Sequence, residues 1–177
     1  HGWTRDLPKK NLVSGKKSDD RFEELFKFVL PGYNVRPLEM SGAIGIEQIK
    51  KLPDFINKRR ENADYFQNLF TNHPFLTIQK EVGVSSWFGF SLVIKKGVDI
   101  ERKKITSLLM DNGIECRPIV SGNFTKNEVI NYFDHEIFGV LENAEYMDKN
   151  GIFVGNHHVK IEEMILHLKN TLDKFIP

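Results

Sequence analysis

The most regular pattern in the chain is helical and lies near its end. After residue 160, apolar side chains recur at steps of three and four, which predicts an amphipathic helix with one buried stripe. The stripe consists of Ile161, Met164, Ile165, Leu168, Leu172 and Phe175. A period of two over residues 86–95 predicts instead a strand with one apolar face. That face would carry Phe88, Phe90, Leu92 and Ile94.

The segments around these two continue the alternation of helices and strands. Asp99 is a candidate cap for a helix that Gly113 ends, and residues 114–120 read as the next strand. The other predicted strands are 76–79 and 152–154, and the other predicted helices are 128–133 and 140–150. We therefore expect an α/β fold, as a small α+β domain, over residues 73–177.

Two helices are predicted before this domain, within residues 38–72. The first covers 38–51 and contains Gly42 and Gly45, which favour close packing against another backbone because each weakens an isolated helix by about 1 kcal/mol. The second begins at Pro53, which suits the first turn of a helix. Its apolar face would consist of Phe55, Ile56, Ala63, Phe66 and Phe70.

Residues 1–37 show no pattern of a compact unit. Pro8, Gly15, Pro31 and Gly32 interrupt lysine clusters and short aromatic patches. We expect an extended arm that lies on another part of the protein or on a partner.

Composition narrows the class of protein. The chain has 177 residues, of which 40% are hydrophobic and 28% charged, as in an ordinary cytoplasmic protein, and its longest apolar runs are too short to cross a membrane. Its one cysteine, Cys116, cannot form an internal disulfide, and scattered histidines suggest no metal site. The first 60 residues carry thirteen basic and eight acidic side chains, which suits an anionic ligand or simply a solvated surface.

Two short segments carry residues suited to ligand chemistry. In the first, Asn34 lies in a turn after Pro31 and Gly32, where it either reaches a partner or caps the turn locally. In the second, Glu115 and Arg117 lie two residues apart, on one face of the predicted strand. An arginine fork suits a carboxylate or a phosphate, but a surface Glu–Arg pair explains the spacing equally well. No glycine-rich phosphate loop, HExxH helix or nucleophile elbow is present.

Longer motifs resemble a known family. The run GYNVRPLEMSGAIGIEQIKKLPDFINKRREN is similar to the segment that joins an inter-subunit hairpin to the bridging helix in DegT/DnrJ/EryC1/StrS sugar aminotransferases. The runs HGWTRDLPKKN, GIECRPIVSGNF and NAEYMDKNGIFVGNH resemble one dehydratase branch of that family. The resemblance implies the C-terminal part of a fold-type I enzyme: a hairpin arm over 1–37, bridging helices over 38–72 and a small C-terminal domain.

The resemblance also assigns roles to single residues. Asn34 matches an asparagine that crosses a homodimer interface to the cofactor phosphate of the neighbouring subunit. Glu115 and Arg117 match residues on the substrate side, where Arg117 is expected to bind the carboxylate of L-glutamate. Arg5 is a further substrate-side candidate, whereas Tyr33 and Arg36 share the motif without an assigned role. The catalytic base is expected upstream of His1, so no catalytic residue is assigned in this chain.

The function implied is a dehydration that depends on pyridoxal or pyridoxamine 5'-phosphate. The substrate would be a GDP-linked 4-keto-6-deoxy sugar that loses its 3-hydroxyl group, and L-glutamate would restore the amine of the cofactor. A sugar aminotransferase of the same family is the first alternative, because it shares the hairpin and the bridging helices. A dimerisation or binding module without chemistry is the second. No nucleic-acid or membrane partner is expected.

Overall fold

The computed structural model describes residues 32, 33, 35 and 37–175. The chain divides into two units, residues 1–50 and 51–177. In the first unit, helix α1 begins at Glu39, and its apolar side chains Met40, Ile44, Ile46 and Ile49 are exposed. Nothing described lies within 4 Å of a Cβ built on Gly42 or Gly45, so the close packing expected there stays a prediction.

Helix α1 corrects the prediction of two helices. It runs without a break over Glu39–Phe70 and contains Pro53 in its interior. A proline there removes one backbone hydrogen bond, to the carbonyl group four residues earlier. That carbonyl belongs to Ile49, in a stretch where every side chain is exposed, so water can replace the missing donor.

The second unit is built on a three-stranded antiparallel sheet. Strands β1 (Leu76–Ile78), β2 (Gly89–Ile94) and β3 (Gly151–Gly155) lie in the order β1-β2-β3. Leu76 pairs with Ile94, and Gly89 pairs with Gly155. Both pairings are antiparallel, so the mixed fold predicted from the sequence is confirmed in its α+β form.

Three helices follow in this unit. They are α2 (Arg102–Asp111), α3 (Glu142–Asn150) and α4 (Glu162–Asp173). Two short 3₁₀ helices, Phe124–Lys126 and Glu128–Tyr132, lie between α2 and α3. The predicted helices near 128–133 and 140–150 are thus confirmed, the first of them as a 3₁₀ turn.

The core lies where the second half of α1 meets the sheet and α4. The ring of Phe66 stacks on Phe70 and on Phe90, with centroid distances of 4.6 and 4.2 Å. The other members are fully or nearly fully buried apolar side chains from α1, from every strand and from α2 and α4. They include Ala63, Leu76, Leu92, Ile94, Ile105, Leu109, Ile152, Ile165, Leu168 and Leu172.

Four local predictions were wrong. Residues 114–120 form no strand, because only Arg117 makes a backbone bridge, to Phe153. The N-cap of α2 is Glu101 and not Asp99. Met164 is 68% exposed although it shares the spacing of the buried stripe. Phe88 is 72% exposed because Trp87, with φ of +48°, breaks the alternation before the strand begins at Gly89.

Candidate active site

The site is built on a strained turn immediately before β2. Trp87 is buried and adopts a left-handed backbone conformation, with φ of +48°, which is rare for a bulky residue. Its carbonyl oxygen accepts hydrogen bonds from Nη2 of Arg59 and Nδ2 of Asn156, each at 3.0 Å. Arg59 also donates to the carbonyl oxygens of Ser86 at 3.1 Å and Phe88 at 2.7 Å. The guanidinium group of Arg59 therefore holds three successive carbonyl groups of this turn.

The turn presents the Phe88 ring beside Arg117. The rings of Phe88 and Phe153 stack with their centroids 5.7 Å apart. The guanidinium carbon of Arg117 lies 4.9 Å from the Phe153 centroid and 5.5 Å from the Phe88 centroid. These are cation–π distances, and together they restrict the orientation of the Arg117 fork.

The main chain of Arg117 is fixed as well. Its N–H donates to the carbonyl oxygen of Phe153 at 3.0 Å, and its carbonyl oxygen accepts from the N–H of Phe153 at 2.8 Å. The residue is thus anchored to β3 through its backbone while its side chain stays exposed. Backbone and rings together pre-orient a cationic fork that still faces solvent.

A cavity of about 280 Å³ opens beside this fork. Glu115, Arg117 and Asn156 provide its polar groups, and Phe88 and Phe153 provide ring surface. Among the described residues, no carboxylate lies within salt-bridge distance of Arg117, so the surface Glu–Arg pair considered as an alternative is not formed there. The arrangement suits a ligand that brings its own carboxylate or phosphate.

A buried asparagine pair supports the floor of the cavity. Asn62 Nδ2 lies 3.1 Å from Asn156 Oδ1 and 2.7 Å from the carbonyl oxygen of Val159, and Asn62 Oδ1 accepts from the N–H of Ile161 at 3.2 Å. Asn156 Nδ2 also donates to the carbonyl oxygen of Arg59 at 2.9 Å. This network ties helix α1, the turn at Trp87 and the segment after β3 into one rigid support.

The segment after Arg117 is held by a cluster of charges. Lys126 contacts Glu145 at 2.5 Å and Asp148 at 2.9 Å. The hydrogen bond from Lys126 lowers the pKa of both carboxyl groups, and the bond to Glu145 raises the pKa of Lys126. Asn123 closes the cluster through its N–H, which donates to Asp148 at 3.1 Å.

Cys116 lies between the two candidate residues and faces the interior. Burial raises the pKa of its thiol, and the neighbouring charge of Glu115 acts in the same direction. A thiol with a raised pKa is a poor nucleophile at neutral pH. The cysteine is free and serves packing under the site rather than chemistry within it.

The structure brings two of the four candidate residues together. Glu115 and Arg117 line the same cavity, although the strand that led to this expectation does not form. Asn34 and Arg5 lie outside the described residues, so their roles stay predictions. Tyr33 is described and exposed.

Sequence reasoning missed the residues that shape the cavity. Arg59 was hidden in a helical run of charged residues, and Phe88 was assigned to the buried face of a strand. Arg59, Phe153 and Asn156 all lie in runs that resemble the family, which was the available signal for them. None of the helices in the described part of the chain is long and apolar enough to cross a membrane.

Comparison with known proteins places the chain in a class. The model of the DegT/DnrJ/EryC1/StrS aminotransferase family matches residues 9–164. The chain belongs to that family.

Some relatives share much more of their sequence with this chain than others, from 62% to 22% identity. A GDP-4-keto-6-deoxy-D-mannose 3-dehydratase of Escherichia coli O55:H7 is 62% identical over 173 residues, which is 97% of this chain and 45% of the relative. The structure of an E. coli GDP-4-keto-6-deoxy-D-mannose-3-dehydratase with bound hydrated PLP superposes with a TM-score of 0.90, over 97% of this chain and 44% of that one. A second structure of such a dehydratase, with a trapped PLP-glutamate geminal diamine, has the same identity and TM-score and covers 97% and 45%. The chain thus spans less than half the length of these relatives.

Proposed function

We propose that this chain is part of a dehydratase that removes the 3-hydroxyl group of GDP-4-keto-6-deoxy-D-mannose and uses L-glutamate as amino donor. The observation that carries the proposal is the Arg117 guanidinium, fixed by two rings and a backbone bridge beside a cavity that Glu115 also lines. The 62% identity with a dehydratase supports the same reaction.

Arg117 would bind one carboxylate of L-glutamate through two parallel N–H···O bonds. An arginine suits this task better than a lysine because its planar fork matches a carboxylate in two places. The rings of Phe88 and Phe153 cover part of the guanidinium, which reduces competition from water for the bound carboxylate. Glu115 lines the cavity close by and would accept hydrogen bonds from hydroxyl or ammonium groups of a substrate.

Pyridoxamine 5'-phosphate would supply the amine and the electron sink for this reaction. The described residues fit the substrate side of such a site. Arg117 is the cationic side chain among the described residues that line the cavity, and the rings of Phe88 and Phe153 form apolar walls beside it. Such a cation suits a free carboxylate. Asn34 would hold the cofactor phosphate of the neighbouring subunit in a homodimer, and Arg5 would face the same region.

The alternative within the family is a sugar aminotransferase, which would use the same arginine for glutamate. The two activities differ in what happens to the sugar: a dehydratase removes the 3-hydroxyl group, whereas an aminotransferase leaves an amine at position 4. High identity to the dehydratase favours the first reaction.

The decisive experiment uses the intact protein with GDP-4-keto-6-deoxy-D-mannose, pyridoxal 5'-phosphate and L-glutamate. Mass spectrometry of the nucleotide sugar should reveal a product that lacks one oxygen atom, together with one 2-oxoglutarate for each turnover. A product with an amine in place of the keto group would identify an aminotransferase. Unchanged sugar under conditions in which the protein is folded and carries cofactor would exclude both activities.

A further inference from the structure

Two further residues, Phe88 and Arg59, bear on the orientation of Arg117. Phe88 stacks on it from a turn with a strained residue, and Arg59 holds that turn through three carbonyl groups. A left-handed conformation at a bulky residue is strained and persists only where surrounding contacts enforce it. Here the enforcing contacts come from Arg59 and Asn156.

We infer that Arg59 is a positioning residue for the substrate-binding arginine: it sets the turn at Trp87, the turn places the Phe88 ring, and the ring orients Arg117. The inference rests on the proposed role of Arg117 in binding L-glutamate. Arg59 itself touches neither the cavity nor a ligand; its guanidinium carbon lies 5.9 Å from the Phe88 centroid.

The geometry explains why an arginine occupies this position. Its Nε and Nη2 atoms reach the carbonyl oxygens of Ser86, Trp87 and Phe88 at once, at 2.7 to 3.1 Å. A lysine has the same charge but only one nitrogen atom, so it cannot span three carbonyl groups that point in different directions. Without the span, the strain at Trp87 is relieved by rotation of the turn, and Phe88 loses its place on Arg117.

The chain offers a matched control next door. Arg60 lies on the same helix and donates from Nε to the carbonyl oxygen of Ser85 at 3.0 Å. It contacts Ser85, which precedes the turn, but it binds no carbonyl group of Trp87 or Phe88. Arg60→Lys therefore makes the same chemical change one residue away from the proposed contact.

The first measurement is independent of glutamate. In the intact protein with ¹⁵N-labelled arginine, the Hε resonance of Arg117 is assigned by its loss in Arg117→Lys. Ring currents from Phe88 and Phe153 should shift this resonance upfield in the wild type. Arg59→Lys should return it toward the position of a free arginine, as should Phe88→Leu, whereas Arg60→Lys and Phe88→Tyr should leave it in place.

The second measurement is the KM for L-glutamate in regeneration of the aminated cofactor. Arg59→Lys and Phe88→Leu should each raise it roughly fivefold, the loss expected for one partly exposed cation–π contact. In Arg59→Lys the KM for the sugar should stay unchanged. Arg60→Lys should leave both constants at the wild-type values.

The outcomes distinguish the positioning role of Arg59 from the glutamate-binding role of Arg117. An Arg117 resonance that stays at its wild-type position in Arg59→Lys overturns the inference, as does a raised glutamate KM in Arg117→Lys without one in Arg59→Lys. A glutamate KM that Arg117→Lys itself leaves unchanged overturns the proposed role of Arg117 in glutamate binding, whatever the resonance shows. Should Arg59→Lys fail to fold, Phe88→Leu against Phe88→Tyr tests the step from ring to arginine directly.

Discussion

The guanidinium carbon of Arg117 lies 4.9 Å from the centre of the Phe153 ring, and the backbone of Arg117 forms a β-bridge with that same residue. One residue of β3 thus holds both the main chain and the side chain of the candidate carboxylate-binding arginine. Little conformational freedom remains to be lost when a ligand binds, which is the advantage of a pre-organised contact.

The first prediction concerns the charge of that contact. In the intact protein, Arg117→Ala should weaken L-glutamate-dependent regeneration by about 1.5–3 kcal/mol, which is roughly ten- to a hundredfold, because a bidentate bond to a carboxylate is lost. Arg117→Lys should recover part of the loss. The measurement is the rate of regeneration as a function of glutamate concentration, and wild-type behaviour of both variants would refute the assignment.

A second prediction follows from the packing of Gly89. A Cβ at this position would lie 2.2 Å from Cζ of Phe153 and 2.6 Å from the carbonyl oxygen of Val154. Gly89→Ala should therefore lower the free energy of unfolding by about 1–3 kcal/mol, since the backbone contact cannot be relieved by a rotamer change.

The matched control is the strand partner of Gly89. Gly155 pairs with it across the sheet, and nothing lies within 4 Å of a Cβ built there. Gly155→Ala should change the free energy of unfolding by less than about 0.5 kcal/mol. Denaturant unfolding of both variants measures the difference, and equal effects would contradict the close approach of Phe153.

The third prediction is a dependence of stability on pH that arises from His73. Its side chain is fully buried, and neither ring nitrogen has a hydrogen-bond partner among the described residues. Burial lowers its pKa to about 4, and the positive charge of Lys169 contributes in the same direction. The carboxylate of Asp173, 3.7 Å from Nε2, opposes the shift, and Lys95 adds slightly to it.

Since the folded state keeps this ring neutral, the unfolded state binds the additional proton below a pH of about 6.5. Above that pH His73 does not reduce the free energy of unfolding. As the pH falls toward 4, protonation of the unfolded state lowers the free energy of unfolding by at most about 3 kcal/mol. His73→Phe should lack this loss. Unfolding curves of wild type and variant between pH 7 and 4 provide the test, and parallel slopes would show that His73 does not titrate in this way.

The fourth prediction concerns Asn34 and the proposed homodimer. Full-length Asn34→Ala and Arg117→Ala subunits, each impaired alone, are exchanged to form hybrids. If Asn34 serves the neighbouring subunit, one hybrid site has both defects and the other has neither, so activity returns. If Asn34 serves its own subunit, every hybrid site keeps one defect. Hybrids confirmed by mass without recovered activity would exclude the cross-subunit role.

The sequence predicted those elements in which one regular period decides the structure. The stripe of α4 and the alternation within β2 follow from burial on one side, and both formed. Prediction failed where tertiary contacts decide. Residues 114–120 have the composition of a strand, but the described structure pairs only Arg117 with β3, so no ladder develops.

The candidate site was also predicted only in part from the sequence. Glu115 and Arg117 were accessible to sequence reasoning because their side-chain chemistry and a family motif coincide. The inferred role of Arg59 was not accessible, although the residue lies in a family-like run. That role depends on three carbonyl groups more than 25 residues away, whose direction is set by the unusual conformation of Trp87. No local pattern in the sequence reports a positive φ at a tryptophan.

The backbone bridge of Arg117 has a consequence for how the protein associates with others. Strand β3 lies at the edge of the sheet, where unpaired N–H and C=O groups invite a strand from another molecule. Phe153 has both groups satisfied by Arg117, while the N–H of Gly151 donates to Met147 and its carbonyl oxygen accepts from Arg102. Arg117, the candidate ligand-binding residue, therefore also shields this edge of the sheet from pairing with another molecule. A change that releases its backbone would threaten solubility as well as the proposed binding.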